Sequence, residues 1–207
     1  MVETICNKLT IKIRKSMPEI DDERAEVINY GLHLLVGELP KNFIILFIAW
    51  LSGVLEQTLL AVLIVIPYRA VVGGAHFKTH IGCVLATSVF YIGNAILSAN
   101  VILTQNVKYI ATIIVWVFAV AMISLYAPAD TEDVPILRKK ERKIKKILSY
   151  IIMSAMLTIS IIVKNSLISN LLLFGALLQT IAITRVMYKI AGNKYGYEEK
   201  ERGEKAC

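Results

Sequence analysis

THIGCVLATSVFYIGNAILSANVILTQNV, residues 79–107, carries no Asp, Glu, Lys or Arg. At about 1.5 Å per residue, a helix of this length exceeds the roughly 30 Å of a bilayer's hydrocarbon core. Its polar groups are sparse and ordered. His80, Cys83, Thr87, Tyr91 and Asn94 recur at steps of 3, 4, 4 and 3, one seam on an otherwise apolar helix. Polar groups at membrane depth face a bundle interior or a wet cavity. The seam therefore either lines a groove that receives substrate or bonds neighbouring helices.

Outward from this run the pattern repeats. Tyr109–Ala129, Ile147–Val163 and Asn165–Thr184 are also uncharged, and each is long enough for one span. Lys108, the charged loop Asp130–Lys146 and Lys164 separate them. Upstream, Asn42–Leu55 and Gln57–Tyr68 are uncharged but broken around Gly53, Glu56 and Gln57, and each half is short for a crossing. The chain of 207 residues is 56% hydrophobic with a mean hydropathy of +0.61, far more apolar surface than a soluble core hides. The first such run begins only after Lys41, so no cleavable signal peptide is expected.

Residues 1–17 place Val2, Ile5, Cys6, Leu9, Ile13 and Met17 on one helical stripe with Lys8, Lys12, Arg14 and Lys15 elsewhere. That describes a helix on the inner membrane surface, or one packed on the protein's own cytosolic face. After Pro18, acidic residues open a further helix that is too polar to span.

Basic residues set the orientation. Seven of them, with Glu141, fill Arg138–Lys146, which marks that segment as cytoplasmic, whereas the turns at Lys108 and Lys164 face out. The N-terminus, the segment Pro67–Lys78 and the C-terminus then lie inside. An even number of crossings is required between residues 18 and 67, which two half-length pieces satisfy as a hairpin buried by protein. The expected fold is an all-α integral membrane protein. It has four full transmembrane helices, a re-entrant or shallow helical hairpin and an amphipathic N-terminal helix. Within one membrane domain over 1–207, the parts are cytoplasmic or interfacial helices (1–39), the hairpin (41–68), a loop and helix start (69–83), the bundle (80–185) and a charged cytoplasmic tail (186–207).

The chemistry gathers in R-A-V-V-G-G-A-H-F-K-T-H-I-G-C, residues 69–83. Thr79 can cap the following helix, which puts Cys83 near its first turn, where free amides and the positive dipole end favour an anionic sulfur. A histidine would then take the thiol proton. Across continuous helix, His76 and Cys83 would stand roughly 10 Å apart along the axis, out of reach. Either His80, at i, i+3, is the base, or the chain bends between residues 76 and 80 and folds His76 back, which Gly73, Gly74 and Gly82 permit.

The order Arg69, Gly73-Gly74, His76, Thr79, Cys83 resembles the AgrB family, membrane cysteine peptidases that process the precursor of a bacterial cyclic autoinducer peptide. Ala127-Pro128-Ala129-Asp130-Thr131 through Pro135, and the basic run after it, are also similar to that family. The resemblance implies His76 and Cys83 as the catalytic pair, with Arg69, Gly73, Gly74 and Thr79 supporting them; His80 has no assigned role. It further implies a multi-pass protein of the bacterial cell membrane whose substrate is a short membrane-associated propeptide with an acidic C-terminal part. Lys139, Lys140 and Lys143 are candidates for drawing that acidic segment to the site; attraction to anionic lipid explains the same run equally well. No metal, other cofactor or nucleic acid is expected. The bilayer is the other partner, and a second copy of the chain is admitted. Glu38, Glu56 and Gln57 are candidates for orienting the imidazole.

Two other functions fit parts of the pattern. His76, His80 and Cys83 at i, i+4 and i+7 on one helix would suit a metal or haem site, although the outer two lie far apart for one ion. The polar seam with Glu56 would suit a small transporter, without the internal repeat such folds show. The three cysteines, Cys6, Cys83 and Cys207, have no framework spacing and are expected to be unpaired.

Overall fold

The computed structural model describes residues 2–17, 20–33, 36, 39–132 and 135–198, and the side chains of these except residues 2–5, 22, 23, 26, 27, 30, 33, 39 and 80. In chain order the helices are α1 (Val2–Ser16), α2 (Asp22–His33), α3 (Leu39–Leu51), α4 (Leu55–Val72), α5 (His80–Asn100), α6 (Gln105–Tyr126), α7 (Lys139–Ile162), α8 (Ser166–Ala182) and α9 (Arg185–Ala191). No strand occurs among the described residues, only two isolated bridges. The protein is an all-α membrane protein.

Among the described residues, four helices are long and apolar enough to cross a bilayer, α4, α5, α6 and α7. The number is the expected one, but the set differs. Pro67 does not end the upstream hairpin; α4 runs through it for 18 residues to Val72. A proline removes one intrahelical bond, which membrane helices tolerate. The break falls at Ser52–Val54, with Gly53 at φ +70°, and Glu56 opens the first turn of α4. The hairpin therefore has one short limb, the 13-residue α3, and one full limb. At the other end, α8 has 17 residues and bends by 70° into α9, so this pair is at most one broken span.

The basic run is not a loop. Helix α7 starts at Lys139, so all but Arg138 of the run lies on its first turns. Lysine, arginine and glutamate are good helix formers, and charge excludes them from hydrocarbon rather than from a helix. The start of the charged tail is folded, since α9 begins at Arg185 and Tyr188, Asn193 and Tyr195 are buried. Residues 199–207 lie outside the described residues.

Helix α8 is the axis of the bundle and packs on α4, α5, α6 and α7. Leu171, Leu173, Ala176, Gln179 and Thr180 are all buried, as suits a helix enclosed on every side. Gly175 lets α8 pack closely on α4, because a Cβ there would stand 2.8 Å from Cγ2 of Val65. The main core joins Tyr68, Val72, Ile123, Met153, Leu157, Leu172, Leu173 and Ile183. Ile113, Ile114, Val117 and Ile151 point outward, as lipid-facing residues must.

Helices α1 and α2 pack on each other, with Cys6 and Ala25 buried between them. The hydroxyl of Thr10 donates to Oδ1 of Asn29 at 3.1 Å, and Nδ2 of Asn29 donates to Oδ1 of Asn7 at 3.1 Å. Part of the α1 stripe, Cys6, is thus used within the protein, while Leu9 and Met17 stay exposed.

Candidate functional site

Two glycines stop α4 and start the loop that leads to α5. Gly73 has φ +77° and Gly74 φ +147°, conformations L side chains rarely adopt. A Cβ at Gly73 would also run into the carbonyl of Ala129. Freed from the helix, the chain is held extended by three separate parts of the molecule. The amide of Gly74 donates to the Ala129 carbonyl at 3.0 Å, that of Ala75 to the Ala182 carbonyl at 3.0 Å, and that of His76 to Oδ1 of Asn193 at 2.8 Å. The Ala129 amide returns a bond to the Val72 carbonyl at 2.8 Å.

Thr79 then caps α5, its hydroxyl oxygen accepting from the Gly82 amide at 3.1 Å. Cys83 follows in the first turn, its amide bonded to the Thr79 carbonyl at 2.9 Å. The chain therefore bends between His76 and the helix, and the two no longer stand seven helical residues apart. Exposed His76 and half-buried Cys83 line one small cavity of about 70 Å³, together with Arg69, Thr87 and Tyr91. A groove of about 410 Å³ between α3, α4 and α5 shares Arg69, His76, Thr87 and Tyr91, so the two form one cleft.

Arg69 sits on the last turn of α4 rather than in a loop. Its Nη1 donates to Oε1 of Gln179 at 3.3 Å, while Nε2 of Gln179 donates to the Gly73 carbonyl at 2.7 Å. One buried amide thus fixes both the arginine and the glycine bend. The polar seam of α5 divides. Cys83, Thr87 and Tyr91 face the cleft, whereas Asn94 is buried, with Nδ2 donating to the Leu171 carbonyl at 3.5 Å and Oδ1 accepting from Ser98 at 3.1 Å.

The stretch from Ala127 braces this loop. Asp130 is buried, and its Oδ2 accepts from the amides of Ile136 (2.8 Å) and Tyr197 (3.1 Å) and from Nη1 of Arg142 (3.1 Å). The Arg142 guanidinium lies 4.2 Å from the centre of the Tyr197 ring. Lys78 pairs with Glu132 at 2.7 Å, and this hydrogen bond holds the Glu132 carboxyl below its ordinary value. Lys139, Lys140 and Lys143 stand exposed on the first turns of α7 and do not line the Cys83 cleft.

The side chain of His80 and all of Glu38 lie outside the described residues. Glu56 and Gln57 open α4, about 20 Å along its axis from Arg69, too far to orient an imidazole at the other end. The one-helix ligand set does not form, because His76 precedes α5. Among the described residues, no three His, Cys, Asp or Glu side chains converge as metal ligands.

Three residues of the site escaped the sequence reading. Gln179 and Asn193 are far away in the chain and carry no local signal. Lys41, on the first turn of α3, places Nζ 3.8 Å from Sγ of Cys83.

These features define an all-α membrane protein whose cleft holds a cysteine thiol, an imidazole and two cationic side chains. The sequence profile of the AgrB family, accessory gene regulator B, matches residues 6–183, and the chain belongs to that family. It is 27% identical over 192 residues to a putative AgrB-like protein of Listeria monocytogenes serotype 4a (strain HCC23), covering 92% of this chain and 91% of that one. A putative AgrB-like protein of Clostridium acetobutylicum is 22% identical over 203 residues, 98% and 95% of the two chains. The accessory gene regulator protein B of Staphylococcus epidermidis is 24% identical over 161 residues, 78% and 80% of the two chains. No solved structure matches the chain significantly.

Proposed function

We propose that this protein is a membrane cysteine endopeptidase that cuts a short autoinducer propeptide and promotes its closure into a thiolactone for quorum sensing. Membership of the AgrB family supports an accessory gene regulator role in quorum sensing. The observation that carries the chemistry is the shared cavity. Cys83 at a capped helix start and His76 on a glycine-bent loop line the same cavity, which supports a thiol nucleophile and its base at one site.

In the first step His76 accepts the Cys83 proton and Sγ attacks a peptide carbonyl. The C–N bond breaks, the imidazolium gives its proton to the leaving amine, and the N-terminal part of the substrate remains as a thioester. In the second step a substrate cysteine thiol attacks the acyl carbon. Its proton passes through His76 to the departing Cys83 sulfur, the thiolactone forms and the enzyme is regenerated. No water is consumed, so the cleft must exclude it until exchange is complete. The apolar groove walls, Ile45, Leu46, Leu59 and Val62, suit a membrane-associated peptide. The basic first turns of α7 support a cytoplasmic site and cytoplasmic termini, with the propeptide's acidic part on the same face.

The test uses purified protein in nanodiscs with the propeptide encoded beside its gene. Cys83→Ala is expected to abolish cleavage while Cys6→Ser and Cys207→Ser leave it intact. His76→Ala should lose as much as Cys83→Ala, because paired catalytic groups do not add; His80→Ala should cost less. Full cleavage by the Cys83→Ala protein would overturn the proposal.

A further inference from the structure

We propose that Lys41 is a third catalytic group, a cation supplied by the short helix α3 to hold negative charge at the Cys83 sulfur. The role rests on the peptidase reading above, but the contact does not. Nζ of Lys41 stands 3.8 Å from Sγ, within reach of a hydrogen bond to sulfur.

The placement follows from packing. Lys41, Ile45 and Ala49 are spaced by four residues and share one face of α3. Ile45 is 2% exposed and Ala49 fully buried, and both cluster with Ile92 of α5. Ala49 lies roughly 12 Å along its helix from Lys41, and Ile92 roughly 13 Å along α5 from Cys83. With the far ends packed together, the near ends come level. The same apolar stripe that seats α3 on α5 therefore delivers the ammonium to the nucleophile.

Lys41, Arg69, His76 and the phenol of Tyr91 are the cationic or titratable groups that line this cleft with Cys83. Their duties differ. Arg69 donates to Gln179 and His76 is the proposed proton carrier, whereas Lys41 is the cation whose Nζ contacts the sulfur. In a half-buried cleft, a cation at this distance attracts a thiolate far more strongly than in water. It donates a hydrogen bond and gives up no proton, so the two-step reaction balances without it. Assignment of Lys41 also changes what the hairpin is for: α3 carries part of the active site.

The experiment reads the sulfur without any propeptide, in full-length protein carrying Cys6→Ser and Cys207→Ser, in nanodiscs at fixed pH. Alkylation of Cys83 is timed by mass spectrometry with neutral iodoacetamide and anionic iodoacetate. Lys41→Gln is expected to slow iodoacetamide about ten-fold and iodoacetate further, so that the preference for the anion falls. Lys41→Arg, which keeps a cation, should stay within about three-fold of the parent with both reagents. Parent rates in Lys41→Gln would overturn the proposal. An equal slowing with both reagents would also overturn it, since that outcome marks displaced structure rather than lost charge. If Lys41→Gln loses the parent elution profile, Lys41→Met, which keeps the stem against α5, is read with the same outcomes. Cleavage surviving in Cys83→Ala would end the peptidase reading and leave these rates standing, so the two failures are distinguishable.

Discussion

Replacing Gln179 by leucine keeps the volume and removes both ends of the buried amide that ties α8 to the loop. Two hydrogen bonds are lost, a 2.7 Å bond to the Gly73 carbonyl and a 3.3 Å charge-assisted bond from Arg69. A neutral bond contributes about 1 kcal/mol and one to a charged group about 1.5–3 kcal/mol. The longer bond is only partly buried, so its low end applies, and the sum is about 2–3 kcal/mol. For a chain of this size that lowers Tm by about 4–12 °C. The functional loss should be larger than the stability loss suggests. Gly73 begins the bend that carries His76 to the cavity it shares with Cys83, and a displacement of about 1 Å at a reacting pair can cost about 10²-fold in rate. Differential scanning fluorimetry in detergent and propeptide cleavage in nanodiscs read the two effects. Gln179→Glu is the discriminating companion. It retains an acceptor for Arg69 but turns a carboxylate oxygen on the Gly73 carbonyl, so it should also lose activity. A Gln179→Leu protein with parent Tm and parent cleavage would refute the bracing role.

Two further predictions concern charge and orientation. Because Lys139, Lys140 and Lys143 stand away from the cleft, their joint replacement by glutamine should leave cleavage unchanged; a loss that grows at low salt would instead assign them to the acidic part of the substrate. Single-cysteine probes at residues 104–107 and 165 should react with impermeant reagents from outside and probes at 70–78 and 140 should not, and labelling at 140 from outside would reverse the proposed orientation.

Much of this architecture is legible in one dimension, and the failures have physical causes. Uncharged length found α5 and α6 because a bilayer is a thickness criterion, but the turn between them falls at residues 101–104 and Lys108 is a buried residue of α6 rather than a separator. The same criterion misplaced the start of α7, since Lys139–Lys146 are barred from hydrocarbon but not from helix. It also undervalued α4, where Pro67 and Glu56 read as breaks although the turn lies at Ser52–Val54. At the site, Gly73-Gly74 announced the bend, and the spacing of Thr79 and Cys83 announced the capped start. In the sequence Lys41 marks only the edge of an apolar run, because nothing local says that α3 packs level with α5. Gln179 and Asn193 act over separations of 106 and 117 residues, and Asp130 gathers Arg142 and Tyr197 from two later segments. Such partners are fixed by three-dimensional packing, which periodicity does not encode.

The anchoring of Gly74, Ala75 and His76 has a temporal consequence. Their amides are bonded to Ala129, Ala182 and Asn193, which leave the ribosome in that order. A nascent chain that has emerged only as far as α7 already contains the thiol and the imidazole, yet two of the three anchors for the loop between them do not exist. The loop can be locked only when α8 and the residues after α9 have been threaded into place. Synthesis itself thus acts as a timer, and the nucleophile is present long before the geometry that would direct it.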